Sequence, residues 1–124
     1  PAQTILVVDD DPNVLTVIEA RLSSAGFEVI TATRGTEALV RLKEHSVNLM
    51  ITDMKMPEMG GMELFEAARR TFPNLPVIFL TAKGGGEALA EGFESGAIMY
   101  INKPFTANKL LTIVNTMLEP RAAP

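Results

Sequence analysis

At 124 residues, with 47% apolar and 21% charged residues, the chain has the length and balance of one domain with a single proper core. A formal net charge of -4, with no Lys/Arg run, leaves no electrostatic footprint for direct contact with nucleic acid or an anionic membrane. The absence of cysteine excludes disulfides, thiolate metal sites and a Cys nucleophile; no apolar run nears the roughly 18 residues of a membrane span, there is no signal peptide, and the cytoplasm is the expected location.

Thr4–Val8 (TILVV) reads as a fully buried strand and runs straight into Asp9, Asp10 and Asp11. Pro12 behind Asp11 predicts a helix with an Asp N-cap and Pro at its first position. Val14, Leu15, Ile18, Leu22 and Ala25 follow at helical spacing, and Gly26 ends the helix. Phe27–Ala32 alternates as a second strand. Gly35 and Thr36 open a second helix with Ala38, Leu39 and Leu42 inward. The lone histidine, His45, reads as a solvated helix-end residue.

Leu49–Thr52 is a third buried strand, and it ends on Asp53 with Pro57 four residues on. Gly60 and Gly61 introduce a third helix, with Leu64, Phe65, Ala68 and Phe72 as its stripe and Pro73 as its stop. Val77–Leu80 is a fourth strand ending at Thr81 and Ala82. Lys83–Gly86 is a loop, Glu87–Ser95 a short fourth helix closed by Gly96, and Ala97–Ile101 a fifth strand ending at Asn102-Lys103-Pro104. Thr106 is the expected N-cap of a last helix faced by Leu110, Ile113, Val114, Met117 and Leu118. Residues 1–120 are expected to form the domain and 121–124 a linker stub or C-terminal tail.

Five strand–helix alternations with near-continuous apolar strands predict an α/β fold, a parallel sheet with helices on both faces. Right-handed crossovers leave the flavodoxin-like, doubly wound (βα)5 arrangement, with strand order 2-1-3-4-5, as the best candidate. Strands 1 and 3 are then neighbours, about 4.8 Å apart. Asp9, Asp10 and Asp53 converge at the carboxyl ends of the strands, flanked by Thr81 and Lys103. Ligands bind at those ends in open α/β sheets.

Clustered carboxylates repel unless something neutralises them. Oxygen-only ligation suits a hard cation, and Mg²⁺ needs only one or two carboxylates beside waters and a phosphate oxygen. Lys103 adds a point charge and Thr81 a hydroxyl donor. These are the parts for stabilising a phosphoryl group in transfer, and a carboxylate can itself be the nucleophile. Each part also has a plainer reading. Asp53, Asp9 and Asp10 could be turn residues, Asp11 only a cap, Thr81 a strand end, and Lys103 a surface lysine before a Pro turn. Met54, Met56, Met59 and Met62 read as core and loop filler. The functional reading rests on the coincidence of all candidates at strand ends.

These residues make the chain resemble the receiver domains of bacterial two-component response regulators, from about Thr4 to Leu118. The motifs are VVDDD, TDMKMPEMGGMEL, FLTA and YINKPF. The resemblance implies that Asp53 accepts a phosphoryl group from a sensor histidine kinase or phosphotransfer protein, the domain catalysing its own aspartyl phosphorylation and dephosphorylation. It implies that Asp9, Asp10, Asp53 and the Lys55 backbone carbonyl hold Mg²⁺, that Lys103 contacts the phosphate, and that Thr81 and Tyr100 are the switch residues. It implies a cis Lys103–Pro104 bond. It also implies a partner face on the fourth helix, fifth strand and last helix, serving a C-terminal effector domain or a homodimer. Ile98 and Met99 make that region more apolar than common, which favours a protein contact, although burial in the sheet accounts for at least one of them. The sequence departs from the family pattern at Gly60, where an Asp is usual, at GAIMY, and in the three glycines after Lys83.

Three other readings compete. An aspartyl-phosphate phosphatase of the haloacid dehalogenase class would use the Asp9-x-Asp11 spacing but leaves Asp53 unexplained. A flavin module would need a Ser/Thr/Gly-rich loop after the first strand, where this chain is acidic. A receiver-like module that only binds partners is at odds with the intact acidic set, Thr81 and Lys103.

Overall fold

The structure, a computed structural model, describes residues 2–82 and 98–118. The predicted loop Lys83–Gly86, the predicted helix Glu87–Ser95 and the tail from Glu119 lie outside the described residues. Five strands form one parallel sheet: β1 (Thr4–Val8), β2 (Glu28–Ala32), β3 (Leu49–Asp53), β4 (Val77–Thr81) and β5 (Ile98–Asn102). Their order is 2-1-3-4-5, as the sequence predicts.

The helices follow from the apolar spacing. Along β1 the side chains alternate between the two faces of the sheet. Ile5 and Val7 pack with Leu15, Ile18 and Leu22 of α1 (Pro12–Ser24) and with Leu110 and Val114 of the C-terminal helix (Ala107–Leu118). Leu6 and Val8 pack on the other face with Ala38 and Leu42 of α2 (Gly35–Glu44) and with Leu64, Phe65 and Ala68 of α3 (Gly61–Thr71). Each fully buried Leu or Ile stabilises the fold by about 1.5–3 kcal/mol, so these two layers fix the sheet and hence the positions of its strand ends. The four methionines at 54, 56, 59 and 62 pack against the α2–α3 side, and Ile98 is buried there too.

The caps are mostly those expected. The Asp11 carboxylate accepts from the Asn13 N–H at 2.9 Å and starts α1. Gly26 takes φ +97 just past the end of that helix, a backbone that L side chains rarely adopt. The Thr106 hydroxyl accepts from the Lys109 N–H at 3.1 Å. The departure at Gly60 has a visible cost: Gly60 is the N-cap of α3 and gives it no side-chain cap. His45 is the exposed C-cap of α2.

Several strand boundaries differ from the sequence reading by one residue. β2 starts at Glu28, while β3, β4 and β5 run on to Asp53, Thr81 and Asn102. Apolar runs stop at Thr52, Leu80 and Ile101, but the hydrogen-bond ladder does not depend on side-chain polarity. Met54 N–H still donates to the Leu80 carbonyl at 2.9 Å, and Lys103 N–H to the Thr81 carbonyl at 2.7 Å. The candidate site residues are therefore held by the sheet itself.

Candidate functional site

Asp9 follows the last residue of β1, and Val8 is the register partner of Thr52. That pairing sets Asp9 beside Asp53 at the carboxyl edge of the sheet. Asp9, Asp10 and Asp53 each offer an oxygen, and these oxygens all lie within 4.8 Å of one another. Asp9 is buried, Asp53 half-buried and Asp10 exposed. The Asp9 carboxylate is steadied by the Asp11 N–H, which donates to it at 2.9 Å.

Lys103 closes the other side of the cluster. Its ammonium lies 3.0 Å from Asp9 Oδ2 and 3.2 Å from Asp53 Oδ1. The peptide bond that follows it, Lys103–Pro104, is cis. Burial acts to lower the Lys103 pKa, but hydrogen bonds and charge from Asp9 and Asp53 outweigh it and hold the ammonium above its usual range. Asp53 goes up as well. Burial is the main cause, the negative charge of Asp9 adds to it, Lys103 works against it, and Asp10 adds a smaller push upward. Lys103 therefore compensates the carboxylates only in part. Among the described residues Asp10 has no ion pair.

That imbalance fits a divalent cation. Every donor is an oxygen, the carboxylates are close enough to share one ion, and one of them is exposed for entry. Lys55 stands two residues beyond Asp53, with its side chain exposed. The loop that carries it is drawn tight by Gly61, whose N–H donates to the Met54 carbonyl at 2.8 Å. A Cβ at Gly61 would come within 2.4 Å of the Asp53 carbonyl oxygen, so only glycine lets α3 start this close to the site.

Thr81 ends β4 and is buried. Its hydroxyl donates to Asn102 Oδ1 at 2.7 Å. The sequence reading missed Asn102. The apolar runs stop one residue short of it; only because both strands run on to Thr81 and Asn102 does parallel register make the two cross-strand neighbours. Tyr100, two residues earlier on β5, stacks on Phe79 with ring centroids 5.3 Å apart, and Phe79 meets Phe65 edge-on at 5.7 Å. The structure thus brings Asp9, Asp10, Asp53 and Lys103 into one cluster, with Thr81 and Tyr100 on the adjacent strands. Asp11 is not part of it: its carboxylate is committed to the α1 cap. A cavity of about 680 Å³ opens between the C-terminal ends of α2 and α3, lined by Leu42, His45 and Phe72 among others, and none of the predicted site residues lines it.

Comparison with known proteins agrees with this geometry. The family model described as the response regulator receiver domain matches residues 5–115. The transcriptional regulatory protein GlrR of Escherichia coli (strain K12) is 37% identical over 118 residues, covering 95% of this chain and 27% of that protein. The transcriptional regulatory protein PrrA of Mycobacterium tuberculosis is 36% identical over 119 residues, 96% of this chain and 51% of the relative. The chain thus spans about a quarter to a half of the length of these relatives. Among solved structures, a response regulator receiver domain protein from Clostridium thermocellum superposes with a TM-score of 0.87 at 36% identity, covering 94% of each chain. The chemotaxis protein CheY4 of Vibrio cholerae gives 0.89 at 32% identity, covering 95% of this chain and all of that one (100%).

Proposed function

The chain belongs to the family of response regulator receiver domains of two-component signalling, and from that premise we propose that Asp53 is its phosphoryl acceptor. The observation that carries the reading is the shared lysine: one ammonium lies within hydrogen-bond reach of both Asp9 and Asp53. A carboxylate meant only for solvent needs no such neighbour. Asp53 held between a cation and two further carboxylates is a nucleophile beside the charge that a phosphoryl group requires.

In the proposed reaction an Asp53 carboxylate oxygen attacks the phosphorus carried by a sensor histidine kinase or phosphotransfer protein. The bond from phosphorus to the donor's imidazole nitrogen breaks, its electron pair stays on that nitrogen, and the aspartyl phosphate forms. Lys103, already at the carboxylate, accompanies the incoming oxygens. The Thr81 hydroxyl donates a hydrogen bond to one of them, and Tyr100 follows on β5. Asp9, Asp10, Asp53 and the Lys55 carbonyl would hold Mg²⁺, which supplies positive charge against the phosphoryl oxygens when bound. Water attack on phosphorus then breaks the bond from phosphorus to the Asp53 oxygen, releases inorganic phosphate and restores the carboxylate.

Relatives named transcriptional regulatory proteins are longer than this chain, which supports a C-terminal effector domain as the output. A cytoplasmic location goes with the same reading; among the described residues no helix is long and apolar enough to cross a membrane. The phosphatase alternative finds no support, since the second carboxylate of its motif, Asp11, is the α1 cap.

Catalysis here is positioning and charge stabilisation, so a small phosphodonor should suffice. Incubation with acetyl phosphate and Mg²⁺ should add one phosphoryl group by intact mass. An Asp53→Asn protein that gains it to the same extent would sink the assignment.

A further inference from the structure

Resting on the reading of Asp53 as the phosphoryl acceptor, we infer that Asn102 is a latch that holds the Thr81 hydroxyl and opposes the phosphorylated state. Thr81 and Asn102 are register partners at the ends of β4 and β5. The Thr81 hydroxyl donates to Asn102 Oδ1 at 2.7 Å, a fully formed hydrogen bond of ordinary length for this class. A threonine hydroxyl carries one proton. While that proton is given to Asn102 it is not available to an oxygen on Asp53. Two acceptors therefore compete for one donor.

The surroundings decide the terms of that competition. Thr81 is only 3% exposed, so its hydroxyl needs a protein partner. Asn102 is exposed, and water can replace the hydroxyl at its amide once the bond is broken. A phosphoryl oxygen is a charged acceptor and takes a hydrogen bond more strongly than an amide oxygen does. The latch thus raises the threshold for switching without forbidding it. Its position also couples it to the aromatic pair. Phe79 and Tyr100 are register partners two residues before Thr81 and Asn102, and a period of two puts both pairs on one face of the sheet. Breaking the Thr81–Asn102 bond loosens the end of the strand on which Tyr100 sits.

A ligand that needs the released hydroxyl binds more weakly by the fraction of molecules already released. For one neutral hydrogen bond that fraction corresponds to a factor of roughly two to ten. The test is titration of the 124-residue chain with the phosphoryl mimic beryllofluoride in saturating Mg²⁺, followed by amide NMR. Asn102→Ala should tighten mimic binding about two- to tenfold and leave the affinity for Mg²⁺ alone unchanged. In a Thr81→Ala background the same Asn102→Ala change should have no effect, because the competing donor is gone. Mimic affinity that stays at the wild-type level or weakens in Asn102→Ala overturns the latch. Equal tightening in both backgrounds overturns it too, since Asn102 would then act without Thr81. A wild-type protein that binds Mg²⁺ but never the mimic overturns the reading of Asp53, and the latch with it.

Discussion

Lys103→Met removes the only ammonium found in the acidic cluster among the described residues, while keeping a stem of similar shape. At an effective dielectric of about 20, charges about 3 Å apart attract by about 5 kcal/mol, and Lys103 makes two such contacts, at 3.0 and 3.2 Å. Carboxylate oxygens at the 4.8 Å limit within which these three lie repel by about 3.5 kcal/mol on the same scale, and the three of them form three pairs. Attraction and repulsion are thus of similar size in the wild type, and the substitution leaves repulsion alone. Breaking a buried ion pair costs about 3–5 kcal/mol. Lys103 is 29% exposed and its side chain reaches water, so the net loss is put at about 2 kcal/mol, or roughly 6–10 °C in melting temperature at this size. The raised Lys103 pKa gives the sign. Its contribution is fully present below the ordinary lysine value and is lost as pH rises through the folded one, so at pH 7 the whole effect is seen. Mg²⁺ should then bind Lys103→Met of order tenfold more tightly, because its competitor is gone, and should restore most of the lost stability. The assay is thermal unfolding in chelator and across an Mg²⁺ series at low salt. A metal-free variant that melts at or above wild type, or an Mg²⁺ affinity that fails to rise, would refute the electrostatic account.

Asp53→Asn should behave in the opposite way in metal-free buffer. Burial and then Asp9 hold the Asp53 carboxyl above its ordinary value, so the folded chain binds this proton more tightly than the unfolded chain and loses stability as pH rises through that interval. Asp53→Asn should therefore melt a few degrees higher than wild type at pH 7, with the gap closing as pH falls toward the ordinary carboxylate range; a gap that widens on acidification would contradict the sign. Gly61→Ala should destabilise the protein by about 1–3 kcal/mol, because its Cβ would come within 2.4 Å of the Asp53 carbonyl oxygen. It should also slow acetyl phosphate labelling of Asp53, and a chemical-denaturation midpoint and labelling rate both equal to wild type would show that the close approach is immaterial.

Much of this was legible because parallel α/β folds write themselves plainly. Apolar runs of about five residues mark buried strands, and the order 2-1-3-4-5 follows from connection rules. Once β1 and β3 are neighbours, Asp9, Asp10 and Asp53 must meet. Cap chemistry at Asp11 and Thr106 was equally direct. What stayed illegible lies one residue past the apolar runs. Composition cannot show that the ladder continues to Asp53, Thr81 and Asn102, and so it cannot show that Thr81 has a cross-strand partner. Nor does it reveal that Gly61 stands against the Asp53 backbone; a Gly-Gly pair before a helix reads simply as a flexible start.

The site is built from groups that each face two claims, and on the proposed reading this is what lets it act as a switch rather than a fixed ion-pair network. Lys103 serves Asp9 and Asp53 together, so any new negative charge at Asp53 draws on an ammonium already half-committed elsewhere. Asp10 is exposed and unpaired among the described residues, so the charge left over by Lys103 remains on the solvent side, where a cation can reach it. The Thr81 proton is held by Asn102 but is open to a stronger acceptor. A phosphoryl group brings about -1.5 to -2 charges and strong acceptor oxygens, enough to redirect every one of these claims at once. A site with each group satisfied by a single partner would bind the same phosphoryl group and have nothing left to rearrange.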